Sequence, residues 1–419
     1  MLAYQTFESV AGLTRFNLSA LEPFARLGLP GRVYGSYPPM RRFAAGHQTL
    51  SGLRLTHRRP PFAIAGLRED VVASTPFADL VRFVPEQSAG DVPRPSVLVL
   101  APLSGHFATL IRNTVEVMSG DHDVYVTDWR NAREVPVGDG RFGLDEYTDH
   151  VIGFLRHIGP GTHLHAVCQS CVPALVANAV LAADGDPATP PSLTLMAGPV
   201  DTRINPTSVN ELATSRSLRW FERNLIARVP WGHDGANRRV YPGFMQVAGF
   251  LAMNPRRHLE SHIDLYHRLV EGDEDAASSV QEFYAEYFAV LDMTAEFYLE
   301  TVSRVFQTHD LARGEMTHHG EPVDPGAIGR TALLTIEGER DDICAIGQTA
   351  AAHDLCTAVP STRRAHHLQA GVGHYGVFSG RRWKNQIYPV VRSFIAANDM
   401  VTTGRTSPRR PSTPLPAPG

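Results

Sequence analysis

The pentapeptide AVCQS at 166–170 sets a cysteine between an apolar run, HLHAV, and a helix-forming run, PALVANAVLAA. A nucleophile at the sharp turn between a central strand and the next helix needs small residues two before and two after it, because the backbone there is crowded and strained. Ala166 and Ser170 meet that demand around Cys168. Centring the turn on Ser170 puts Cys168 and Val172 at the crowded positions, and centring it on Cys171 puts Gln169 and Pro173 there. Both fit worse. The turn also sets the sulfur at a helix start, where unpaired backbone N–H groups favour the thiolate, the form that attacks. The plain alternative is that Cys168 is a small buried hydrophobe.

A nucleophile of this kind needs an acid after a late strand and then a histidine in a loop, in the chain order nucleophile, acid, base. Asp341 follows the apolar run TALLTIEGE, and His374 sits in GVGHYG. Asp341 is preferred because an acid, one residue and then an aliphatic is a common arrangement here. Asp342 stays open as the acid, its other role being a turn or cap. Asp201, in GPVDTRINP, more readily makes a turn. Acyl transfer also needs donors for the developing oxyanion, one from the residue after the nucleophile and one from the loop after an early strand. Gln169 supplies the first, and Leu103 or Ser104, in APLSGHF, the second. His106 in the same loop either touches substrate or is a hydrogen-bonded structural residue, the latter being the default.

Other motifs compete poorly. Cys168 and Cys171 form a C-x-x-C, but the downstream Asp and His argue against a dithiol redox site. His163 and His165 stand at strand spacing with no Cys or carboxylate set, so neither metal nor any cofactor is expected. The doublets His318–His319 and His366–His367 read as surface loop residues. No phosphate-loop signature is present, so a nucleotide cofactor is not indicated. Trp220, Phe221, Tyr284, Tyr287 and Phe297 are helix-packing aromatics by default, a few of them available to line an apolar groove.

The elements that must position these residues alternate. SVLVLA, DVYVTDW, HLHAV and LTLMAG read as strands, the first without polar alternation, as in a sheet covered on both faces. LDEYTDHVIGFLRHIG carries apolar residues three and four apart and ends on glycine, so it reads as an amphipathic helix. The order predicts a doubly wound, mostly parallel sheet of the α/β-hydrolase class. Residues 1–61 read as an N-terminal extension packed on the core, and 62–204 as the first part of that core. From 205 to 325 helix formers and aromatics dominate with no convincing strand, which predicts an inserted helical cap. Residues 326–400 return to the core, STRRAHHLQ being a weak strand, and 401–419, rich in Pro, Ser and Thr, read as a disordered tail.

At 419 residues, one core with an insertion is the economical reading. A net charge of −4 carries no footprint for nucleic acid. The N-terminus lacks the parts of a secretory signal, and no stretch has the roughly 20 apolar residues of a membrane span. A soluble, cytoplasmic protein is expected, its four cysteines reduced.

With these residues in view, the chain resembles the intracellular polyhydroxyalkanoate depolymerases, α/β-hydrolases with cysteine in place of the lipase-box serine. The likeness runs through HRRPPFAI, LAPLSGHFATLIRNTVE, DVYVTDWRNAREVP, AVCQSCVPAL, GPVDTRINPT, PGFMQVAGF, YAEYFAVLDMTAEFYLETVSRVFQ, TALLTIEGERDDICAIGQT and GVGHYGVFSG. One departure is Ser170-Cys171, where the family pattern has a proline. The resemblance implies a triad of Cys168, Asp341 and His374 that hydrolyses amorphous polyhydroxybutyrate through a thioester, at the surface of cytoplasmic granules. The rival is a polyhydroxyalkanoate synthase-like acyltransferase, similar in fold and triad. A non-catalytic granule protein would have lost a triad member. Oligomeric state is not legible in the sequence.

Overall fold

A computed structural model describes residue 4, residues 17–29, residue 32 and residues 37–53, 55–86, 94–253 and 255–399. The tail expected at 401–419 lies outside the described residues.

Eight strands form the central sheet: β1 (Leu67–Ser74), β2 (Ala78–Pro85), β3 (Ser96–Leu100), β4 (Asp123–Trp129), β5 (His163–Val167), β6 (Ser192–Met196), β12 (Ala332–Gly338) and β13 (Arg364–Gln369). Their spatial order is β1-β2-β4-β3-β5-β6-β12-β13. The β1–β2 and β2–β4 pairs are antiparallel, and every pair from β4 onward across the sheet is parallel. This is the α/β-hydrolase sheet, and the chain has that fold.

Every residue of β5, β6 and β12 is buried, as is β3 after its first residue. Runs without polar alternation form such strands because helices cover both faces, each fully buried Val, Leu or Ile being worth roughly 1.5–3 kcal/mol. The helices Leu144–Ile158 and Cys171–Ala183 are two of the covers. The first buries Tyr147, Val151, Phe154 and Leu155 and stops at Gly159, whose φ of 109° carries the chain out of the helix. The second is buried on nearly all sides, as its uninterrupted apolar composition demands.

The structure departs from the sequence reading at the first edge. Ahead of the first strand that the sequence reading named, SVLVLA, the sheet begins with the antiparallel β1–β2 hairpin. Strand β1 carries Arg68, Glu69 and Asp70 and lies mostly at the surface, so it lacks the apolar run that marks an inner strand.

Between β6 and β12 the chain leaves the sheet through the helices Ser208–Ser215, Leu218–Leu225, Gly243–Met253, Pro255–Glu271, Glu274–Tyr287 and Ala295–Glu300. It also holds strands the sequence did not reveal: β7 (Ala227–Arg228), β8 (Arg239–Tyr241) and β9 (Met293–Thr294) form one small sheet, and β10 (Thr317–His318) and β11 (Glu321–Pro322) a hairpin. Strands of two or three residues are too short to leave a periodicity. The N-terminal helix Pro38–Gly52 packs on Pro255–Glu271, and Thr56 bonds Phe288 and Val290 through its backbone. The N-terminal segment therefore rests on the inserted helices and, through Arg59, on Glu69 of β1 and Asp128 of β4.

Candidate active site

Strand β5 ends at Val167, and a single 3-10 turn, Cys168–Ser170, leads into the helix Cys171–Ala183. Cys168 takes φ 58°, a left-handed conformation that costs a residue with a Cβ about 1–2 kcal/mol. Two features hold it there. The Ser170 hydroxyl accepts the Val167 N–H at 2.9 Å and lies 2.7 Å from the Val167 carbonyl and 3.0 Å from the Leu100 carbonyl, tying the turn to the ends of β5 and β3. Gly198, just beyond β6, lets the turn settle: a Cβ there would lie 2.2 Å from the Cys171 Cβ and 2.9 Å from the Cys168 carbonyl oxygen. Cys168 itself is partly exposed, whereas Cys171 is fully buried, its Sγ 3.5 Å from the Ala166 carbonyl. Burial pushes the Cys171 thiol well above its ordinary range.

Strand β12 runs out through Gly338 to Asp341, and the loop after β13 delivers His374 at the start of the short helix His374–Phe378. The His374 Nδ1–H donates to Asp341 Oδ2 at 2.8 Å. Asp341 Oδ1 accepts the N–H groups of Ile343 and Cys344 at 2.9 and 2.8 Å, which fixes the carboxylate. Asp342 is exposed while Asp341 and His374 are buried, so the carboxylate beside the histidine is that of Asp341. Burial opposes charge on His374, but the charges of Asp341 and Cys168 and hydrogen bonds to both side chains hold its imidazole well above the ordinary range. With Nδ1 committed to Asp341, the face toward the sulfur is Nε2.

The loop carrying Asp341 has an anchor the sequence did not single out. Glu337, fully buried in β12, accepts the N–H groups of Gly347, Thr349 and Ala350 at 2.9, 2.8 and 2.9 Å. Its only signal in the sequence is an acid inside an otherwise apolar run.

Gln169 follows Cys168 at the start of the helical turn, where a backbone N–H has no intrahelical acceptor. The N–H groups of Leu103 and Ser104, in the loop after β3, meet no acceptor among the described residues. That loop is held by Gly105, at φ 89°, whose carbonyl accepts the Leu291 N–H at 3.0 Å.

The remaining candidates sit elsewhere. The buried His106 ring lies 3.1 Å from the Tyr287 carbonyl, and burial pushes its pKa down to about 4, the mark of a neutral structural histidine. Asp201 accepts from Nε and Nη2 of Arg203, at 2.8 and 2.7 Å. His163 lies 2.7 Å from the Ser192 hydroxyl, and His165 is a buried ring whose pKa burial lowers to about 3. His366 and His367 are not loop residues: both lie on β13, His366 2.8 Å from the Thr335 hydroxyl, because the strand pairs with β12 despite its polar sequence. His318 and His319 both reach Asp149, at 2.9 and 2.8 Å, so they too are more than surface residues.

The cap aromatics divide. Phe297 stacks on Tyr147 in the main core, and Phe221 is buried while Trp220 is partly exposed. Tyr284 and Tyr287 form a separate cluster with Phe288. Phe283 and Tyr287 meet Tyr375, the neighbour of His374, with ring centroids 5.9 and 6.4 Å apart. Glu286 on the same helix accepts the Thr109 hydroxyl at 2.5 Å and pairs with Arg112. The helix Glu274–Tyr287 thus roofs the histidine side of the site.

Residues 197–399 match the family model described as PHB de-polymerase C-terminus. No curated protein matches the chain. Similar solved structures include 2-hydroxy-6-oxo-6-phenylhexa-2,4-dienoate hydrolase from Rhodococcus sp. strain RHA1, at 13% identity and TM-score 0.42, covering 79% of this chain and 99% of that one. A meta-cleavage product hydrolase from Pseudomonas fluorescens IP01 stands at 13% identity and TM-score 0.44, covering 79% and 98%. A thermophilic esterase from Thermogutta terrifontis stands at 13% identity and TM-score 0.41, covering 80% and 100%. Residues 197–399 are thus similar to the C-terminal part of the PHB depolymerases.

Proposed function

We propose that this hydrolase cleaves the ester bonds of amorphous poly(3-hydroxybutyrate) with Cys168 as nucleophile, His374 as base and acid, and Asp341 as the group that orients the histidine. The proton of the Cys168 thiol passes to His374 Nε2, and the sulfur attacks the ester carbonyl. The oxyanion is stabilised by the N–H of Gln169 and by that of Leu103 or Ser104. As the carbonyl re-forms, the C–O bond breaks and the alcohol end of the cut chain leaves with the His374 proton. Water, deprotonated by His374, then attacks the thioester; the acid end departs and the thiol is restored.

The observation that carries the reading is the meeting of three separate segments: a partly exposed cysteine at φ 58°, and a buried imidazole that donates to Asp341 at 2.8 Å and interacts with the Cys168 side chain. The polymer substrate and the granule surface as partner rest on the family match over 197–399. No described helix is long and apolar enough to cross a membrane, so contact with a granule would fall to the folded surface.

The test is release of 3-hydroxybutyrate or its oligomers from amorphous polyhydroxybutyrate granules by the unaltered protein, by Cys168→Ala and by Cys171→Ser. Loss confined to Cys168→Ala is expected. A protein that releases nothing from granules, yet forms polymer and frees coenzyme A from 3-hydroxybutyryl-CoA, would overturn the hydrolytic reading. Equal loss in Cys171→Ser would overturn the assignment of a single nucleophile.

A further inference from the structure

In an extended strand, neighbouring side chains point to opposite faces. The two histidines at the tip of the β10–β11 hairpin do not. His319 has φ 48° and Gly320 φ 82°, so the hairpin turns through two left-handed residues, as a two-residue turn of the I′ kind requires. That turn brings both imidazoles to one carboxylate: His318 Nε2 lies 2.9 Å from Asp149 Oδ1, and His319 Nε2 2.8 Å from Asp149 Oδ2. The three ligand atoms all lie within 4.8 Å of one another.

The elements behind them are held in place. Asp149 stands on the helix Leu144–Ile158, in the sheet's own cover. Arg304 donates to the Thr317 carbonyl at 2.6 Å, fixing the root of the hairpin. His318 is largely buried and His319 half exposed, so the site has a fixed wall and an open side.

We propose that Asp149, His318 and His319 form a site for a borderline divalent metal ion, Zn²⁺ in the first instance, with water in the fourth position. Two imidazole nitrogens and one carboxylate oxygen are a common zinc donor set. Zn–N and Zn–O bonds of about 2.0–2.1 Å put tetrahedral ligand atoms about 3.3 Å apart, so the nitrogens and the carboxylate oxygens need separate only slightly to admit the ion. Each Nε2 then offers its lone pair to the metal, and the protons now shared with Asp149 leave to solvent. None of the three residues takes part in the ester chemistry. The ion would staple the end of the insertion to a helix of the core and stabilise the folded state by mass action.

The test uses full-length protein carrying Cys168→Ala, which removes an exposed thiol with zinc affinity of its own. The protein is stripped with EDTA and titrated with zinc chloride by calorimetry, beside the same protein with His319→Ala, with Asp149→Asn, or with His367→Ala as a control histidine. One equivalent of zinc should bind and raise Tm. Affinity should fall by about tenfold or more in His319→Ala and Asp149→Asn, and not in His367→Ala. His319 is half exposed, so its replacement leaves the fold intact and the reading interpretable. Absence of one-to-one binding by the parent, or equal binding by all four proteins, would overturn the site.

Discussion

The floor and the roof of the site are built differently. The floor is the ends of β5, β6 and β12, where every strand residue is buried and each loop is pinned: the turn at Cys168 by Ser170 and by the absence of a side chain at Gly198, the Asp341 loop by Glu337. The roof is the helix Glu274–Tyr287, held near His374 by edge-to-face rings and by the partly exposed contacts of Glu286 with Thr109 and Arg112. Groups that must keep a fixed geometry sit where displacement would open voids in a dry core. The element over them rests on a separate, smaller cluster around Tyr284, Tyr287 and Phe288, and under the proposed reading it is the element that would yield to admit a polymer chain.

The sharpest test of the floor is its chemistry. Cys168→Ala should lower polymer hydrolysis by roughly three orders of magnitude or more, with Cys171→Ser within a few-fold of the unaltered protein. Asp341→Asn should cost on the order of 10³–10⁴ in kcat. It should also move the alkaline limb of the pH profile. Burial lowers the proton affinity of His374 and the Asp341 charge raises it, so without that charge the histidine loses its proton at lower pH and the limb shifts to acid. An unmoved limb would detach Asp341 from the base.

Smaller effects probe the pins. Gly198→Ala forces the new Cβ into Cys171 and the Cys168 carbonyl and should destabilise the fold by about 1–3 kcal/mol in urea titrations, with a fall in kcat beyond the unfolded fraction. Glu337→Gln removes the charge from three backbone hydrogen bonds and should cost about 1–3 kcal/mol. The weakest and most telling change is Glu286→Gln. It should alter global stability by under about 1 kcal/mol, yet speed amide hydrogen exchange in Glu274–Tyr287 and not in Cys171–Ala183. Equal protection of the two helices in that variant would erase the contrast between roof and floor.

How much of this was legible depended on range. The inner strands declare themselves because burial on both faces leaves an unbroken apolar run, and Cys168 because its crowded turn constrains neighbours two residues away. Edge strand β1 carried charges, and β7 to β11 were too short for any period. The His318–His319 doublet read as a loop because its partner, Asp149, lies on a helix remote in sequence.

The sequence by itself determined the chain order Cys168, Asp341, His374 and the strand runs that carry them, since these follow from local spacing and composition. Tertiary structure alone decided that Asp341 and not Asp342 meets His374, that Gly198 clears room for the turn, that Glu337 gathers three N–H groups, and that an inserted helix covers the histidine. Each is a contact between segments distant along the chain. Such contacts depend on how strands stack side by side in the sheet, an arrangement no local pattern encodes.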